Sequence, residues 1–291
     1  MSFFIWQSLF FLLTQLFGLG VALKAQGLFP VEQISTPKLE PWRFLVIFGV
    51  LTGLMILMMR LPRGKGLIFR AVFILTVWWG SALALSVWMH DTIALVISIA
   101  AITLWLFWAK VFLHNALVIL GIAGVGSVFG LRFSPESIVA LLILFAVYDV
   151  IAVYKTKHMI KLARTMLEVR AIFAVIAPSK ISLFFSGMRD VPSDKGPVLP
   201  SSRAGAEGSL PKEYMMLGGG DIAFPLMLAS SVSVHSPANA FIVIGFSFFG
   251  LIASFVLFFL LGRKPMPALP PIAVFSILGF FFTKLIEPTF I

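Results

Sequence analysis

Apolar residues run in blocks of about twenty along this chain, and the blocks are broken by short polar or proline-containing stretches. Segmentation on that pattern predicts nine helices, over 3–23, 44–59, 67–89, 92–109, 111–131, 136–154, 215–234, 239–262 and 270–287. The second is short and the seventh only weakly apolar. Composition agrees with the pattern: 60% of the 291 residues are hydrophobic, 12% are charged, and mean hydropathy is +1.05. A soluble domain does not tolerate that balance. The expected fold class is therefore all-α, a polytopic membrane protein whose core lies between helices with lipid outside. The first apolar segment lacks a basic leader and is too long for a typical signal peptide, so it reads as a retained span.

Charge then orients the spans. Sixteen Lys and Arg collect on one side, ten of them in the segment 155–213, against five on the other, with Arg70 left inside a span. The positive-inside rule puts the N-terminus and the segment 155–213 in the cytoplasm and the C-terminus outside. The net charge of +10 reads as these orienting loops, and no nucleic-acid partner is expected. Within 155–213, Lys157, Lys161, Arg164 and Glu168 share one helical stripe, while Met159, Leu162, Met166, Val169 and Phe173 lie opposite. That spacing predicts a basic amphipathic helix at the headgroups. From Ala177 to Lys212 the chain is rich in Pro, Ser and Gly and is expected to be mobile.

Chemistry narrows quickly. With no cysteine there is no disulfide, thiolate nucleophile or Cys-ligated metal. His90, His114, His158 and His235 form no H-E-x-x-H, so no metal site and no cofactor are expected. Ser247 has no histidine following it and reads as a packing residue, as does the small-xxx-small pair Gly126 and Gly130. Of the twelve acids, only Asp149 and Asp221 lie well inside apolar spans. An unpaired carboxylate there costs several kcal/mol, so it marks function by default.

Depth places the two acids together. Their spans run antiparallel, and counted as helix each acid lies six residues, or about 9 Å, from the same cytoplasmic face. No Lys or Arg lies at that depth in either span. Two carboxylates in one low-dielectric site cannot both ionise cheaply and share a proton, which is the chemistry of an aspartic protease. Gly218, Gly219 and Gly220 weaken the helix just before Asp221 and leave room for another backbone, and Pro225 loosens it further. The same acids would also suit a proton- or cation-coupled transporter or a leak channel, and a structural scaffold would use neither.

Three short motifs stand in order along the chain: Tyr148-Asp149, then Gly218-Gly219-Gly220-Asp221, then Pro267-Ala268-Leu269. In nine spans this order resembles the presenilin and signal peptide peptidase class of intramembrane aspartyl proteases, most of all the compact archaeal presenilin homologues. The resemblance implies a catalytic pair of Asp149 and Asp221, with Tyr148, the three glycines, Pro267, Ala268 and Leu269 shaping the site or binding substrate. It divides the chain into scaffold helices over 1–134 and a catalytic part over 135–291. It further implies a multi-pass protein of the cell membrane whose partners are the lipid bilayer and transmembrane-segment substrates, with self-association left open. The cytoplasmic 155–213 segment looks like presenilin, since signal peptide peptidases run the opposite way. Gly219 departs from the Leu usual in presenilins at that position.

Overall fold

The computed structural model describes residues 2–28, 65–155, 171–188, 214–262 and 266–287, with a few single positions between them. Eight helices appear among these residues: α1 (Ser2–Leu28), α2 (Lys65–Ser86), α3 (Asp91–Phe107), α4 (Val111–Arg132), α5 (Pro135–Val150), α6 (Gly219–Val232), α7 (Pro237–Leu260) and α8 (Leu269–Ile286). Six are long and apolar enough to cross a membrane, α5 being continued by a π turn over Ile151–Lys155, while α3 and α6 are shorter. The chain is an integral membrane protein. The span expected over 44–59 and the charged stripe of Lys157, Lys161, Arg164 and Glu168 lie outside the described residues, apart from scattered positions in the former.

Helix starts follow local chemistry. Ser134 caps α5, its hydroxyl accepting from the Ser137 N–H at 3.3 Å, and Pro135 opens the helix where its missing N–H costs nothing. Ser236 and Pro237 repeat the device at α7.

Packing centres on α4, whose small residues serve two neighbours. A Cβ on Gly124 would collide with the Gly80 carbonyl of α2, and one on Gly130 would lie 2.5 Å from the Met227 carbonyl of α6. Both helices therefore approach α4 backbone to backbone, α6 at Gly130 of the Gly126 to Gly130 pair and α2 at Gly124, which lies outside that pair. Hydrogen bonds fix the contacts: Ser127 Oγ donates to the Gly18 carbonyl of α1 at 2.6 Å, and Ser231 Oγ of α6 donates to the Phe133 carbonyl at 2.6 Å. Ser247 bonds Ser276 across α7 and α8 at 2.7 Å with both fully buried, which is a packing role.

Three expectations are corrected here. The fold is not purely helical, because β1 (Ala174–Pro178) and β2 (Tyr214–Gly218) form an antiparallel pair running from Ala174↔Gly218 to Pro178↔Tyr214. The helix expected from 215 accordingly starts only at Gly219, since residues up to Gly218 are extended. Irregular and strand backbone is tolerated at membrane depth when protein buries it, and all five residues of β1 are buried. The segment expected to be mobile from Ala177 begins as packed structure. Ala177 and Pro178 lie in β1, a 3₁₀ turn covers Ile181–Phe185, and Phe184 and Met188 are buried in a cluster with Val111, Ile176 and Tyr214.

Candidate active site

Asp221 lies at the start of a helix, not within one. Gly218 is the N-cap of α6, so Asp221 is the third residue of its first turn. From there its carboxylate reaches back to the Gly218 N–H, the acidic half of a capping box. The glycines make that possible by taking up little space. An added Cβ at Gly218 would stand 3.0 Å from Asp221 Oδ2. At Gly219 it would stand 3.1 Å from the Phe173 carbonyl, to which the Gly219 N–H already donates at 2.8 Å. At Gly220 it would meet only the Phe224 ring, at 3.7 Å, an ordinary contact.

Asp149 is held by a different helix end. It is buried on the last turn of α5, and its carboxylate accepts the backbone N–H of Leu269, the first residue of α8. The Pro267-Ala268-Leu269 turn thus opens a helix and aims an amide at one of the two acids. Each carboxylate therefore sits at a helix N-terminus, where partial positive charge favours an anion.

The two acids meet. Asp149 and Asp221 line one cavity of about 500 Å³, within electrostatic range of each other. Tyr148, Gly218, Gly219, Gly220, Pro267, Ala268 and Leu269 line it too, so every sequence-predicted site residue borders the same space. Phe145, one turn before Asp149, stacks on Phe224, three residues after Asp221, with ring centroids 4.6 Å apart. This pair closes the apolar side of the site and ties α5 to α6. Among the described residues no cluster of His, Asp or Glu has the makings of a metal site.

Pro225 adds a second feature. It cannot donate to the Asp221 carbonyl one turn earlier, and in the loosened turn the Ile222 carbonyl accepts from Gln15 Nε2 of α1 at 2.8 Å. Sequence reasoning missed Gln15 and also His114 and Asn115, polar residues wholly buried in spans. A count of all intramembrane polar groups, rather than of acids alone, would have raised them.

A family model described as signal-peptide peptidase, presenilin aspartyl protease matches residues 11–288. Two solved structures share the fold, each described as a presenilin family intramembrane aspartate protease. One, in a P2 space group, is 23% identical over 96% of this chain and 96% of that one, with a TM-score of 0.61. The other, in a C222 space group, is 21% identical over 98% of this chain and 99% of that one, with a TM-score of 0.61. No curated protein matches the chain.

Proposed function

We propose, for a chain that belongs to the signal-peptide peptidase, presenilin aspartyl protease family, that Asp149 and Asp221 are the catalytic pair with which it hydrolyses peptide bonds inside transmembrane segments of other proteins. The chain is an aspartic endopeptidase by family, and nothing in that membership supports a transporter or channel. The residue assignment rests on one observation: the only two acids deep in apolar spans among the described residues line the same cavity, each at a helix N-terminus.

In this reading the pair holds one proton. The ionised carboxylate takes a proton from water as the water oxygen bonds to the scissile carbonyl carbon, and the protonated carboxyl donates to the developing oxyanion. Collapse breaks the C–N bond, and the proton just gained passes to the leaving amine. Water enters from the cytoplasmic side, because the acids lie nearer that face in the proposed topology of nine spans with a cytoplasmic N-terminus. Residues 1–134 then act as scaffold and 135–291 as the catalytic part, in the cell membrane.

A helical substrate hides its carbonyls in hydrogen bonds, so it must unwind locally to be cut. The cavity wall offers the unwound stretch a strand edge. Val175 and Ala177 face Leu217 and Met215 across the ladder, which turns the N–H and C=O of Met216 outward, toward the cavity it lines, while the Gly218 N–H already serves Asp221.

The test is cleavage of a purified single-span substrate in bicelles. Asp149→Asn and Asp221→Asn should each lower kcat by about 10²–10⁴-fold while unfolding at the wild-type temperature. A folded variant of either kind that cuts at the wild-type rate removes that residue from the pair.

A further inference from the structure

The outer edge of β1 is occupied, though not by a strand. Asn115, on the second turn of α4 and 2% exposed, donates from Nδ2 to the Ile176 carbonyl at 2.7 Å and accepts the Ile176 N–H on Oδ1 at 2.8 Å. One residue of a strand turns both its backbone groups to the same side, so Ile176 faces away from β2. The Asn115 amide supplies the donor and acceptor that one residue of a third strand would supply. Beside it His114, fully buried and stacked on Phe73, donates from Nε2 to the Ala174 carbonyl at 3.2 Å, the next outward-facing carbonyl along β1.

The ladder then leads straight to the chemistry. Val175 and Ala177 pair with Leu217 and Met215, and the Phe173 carbonyl accepts the Gly219 N–H at 2.8 Å, two residues before Asp221. A chain of backbone and side-chain hydrogen bonds therefore runs from α4 through both strands to the first turn of the helix that carries the acid. Pro178, which has no N–H, ends β1.

We infer that Asn115, supported by His114, is a positioning residue of the protease: its amide closes the outer edge of β1 and pins the hairpin to α4, so that an extended substrate can add only to β2. This rests on the reading of the cavity as a peptidase site. It assigns a substrate-orienting role to a residue of the scaffold half that does not line the cavity. Two consequences separate it from a merely structural polar contact. Loss of the amide leaves the Ile176 N–H and C=O unpaired against α4, so that only the His114 bond to the Ala174 carbonyl still holds the register of the hairpin there. Loss also frees β2 to shift against Asp221, which moves the scissile bond.

The experiment compares wild type, Asn115→Leu, Asn115→Asp and the inactive Asp221→Asn protein on one single-span substrate, with products read by mass spectrometry. Asn115→Leu has nearly the same size and neither hydrogen bond; it should lower kcat by about tenfold and spread cleavage over bonds one or two residues from the wild-type position. Asn115→Asp keeps the acceptor for the Ile176 N–H and should retain the wild-type bond as the main product. If Asn115→Leu cuts the same bond with unchanged kcat and KM, or merely loses folded protein with the product pattern intact, the positioning role is wrong. If Asn115→Leu does not accumulate, hydrogen exchange on the wild-type chain decides. The Ile176 amide, which faces away from β2, must then be protected as strongly as that of Val175, and rapid exchange there overturns the inference. Should Asp221→Asn still cleave, the peptidase assignment itself fails, an outcome distinct from failure of the clamp.

Discussion

The three glycines before Asp221 are expected to differ sharply when each is replaced by alanine. None of them has a positive φ, a conformation that Gly262 alone adopts among the described glycines (φ 72), and Gly218 sits at φ −61 and ψ 141, which suits any residue. Alanine therefore tests space and not backbone freedom. At Gly218 the new methyl would stand 3.0 Å from Asp221 Oδ2, so the carboxylate must retreat by roughly 0.4 Å to reach van der Waals contact. If a displacement of 1 Å costs about 100-fold, 0.4 Å costs about sixfold, or about 1 kcal/mol. Weakening the Gly218 N–H bond to the same carboxylate adds up to about 1 kcal/mol more. Gly218→Ala should thus lower kcat by about five- to thirtyfold. Gly220→Ala, whose methyl meets only the Phe224 ring at 3.7 Å, should leave kcat within about twofold. Gly219→Ala should fall between them, because its methyl presses on the Phe173 carbonyl and widens the ladder. The assay is kcat at saturating single-span substrate in bicelles, with thermal unfolding to confirm that each variant is folded. Equal losses at Gly218 and Gly220 in folded protein would refute the steric argument and make the run a hinge or an entry path.

Two further outcomes follow from the same geometry. Gly124→Ala drives a methyl into the Gly80 carbonyl and within 2.8 Å of the Ala84 nitrogen, both helix backbone, so α2 must move. Overpacking of about 1–3 kcal/mol exceeds the helix-propensity gain of about 1 kcal/mol, and unfolding in detergent should come at lower temperature. The control is Gly245→Ala, where nothing lies within 4 Å and stability should be unchanged or slightly raised. For pH, a pair that works with one proton loses activity when both acids are protonated and again when both are ionised, so kcat/KM should pass through a maximum. A profile with a single limb across the range in which the protein stays folded contradicts the shared-proton mechanism.

Much of this site was legible in the residues before any coordinates. Apolar block length located most helices to within a few residues, and the cost of an unpaired carboxylate in lipid singled out Asp149 and Asp221 from twelve acids. The hairpin was not legible. Ala174–Pro178 and Tyr214–Gly218 are five-residue apolar runs with no period that separates strand from helix, and each strand is defined by a partner some forty residues away. The amphipathic spacing that ends at Phe173 pointed to a helix, yet by Ala174 the chain has already entered β1.

The misplaced start of α6 changes the chemistry and not only the boundary. In a continuous helix from 215, the backbone N–H groups around Asp221 would all be spent on carbonyls one turn earlier, and none would face its carboxylate. Ending β2 at Gly218 frees the first-turn amides, and Asp221 uses one of them as the acidic member of a capping box. The Gly-Gly-Gly-Asp run contained that signal in altered form, an acid three residues after an N-cap, with glycine where serine or threonine usually stands. Asp149 obtains the same kind of support from Leu269 at the start of α8, which explains why a proline-rich turn far along the chain belongs to the site. The two acids therefore share an electrostatic setting although they enter from opposite helix ends, and the strand that interrupts the seventh apolar block is what gives Asp221 its half of it.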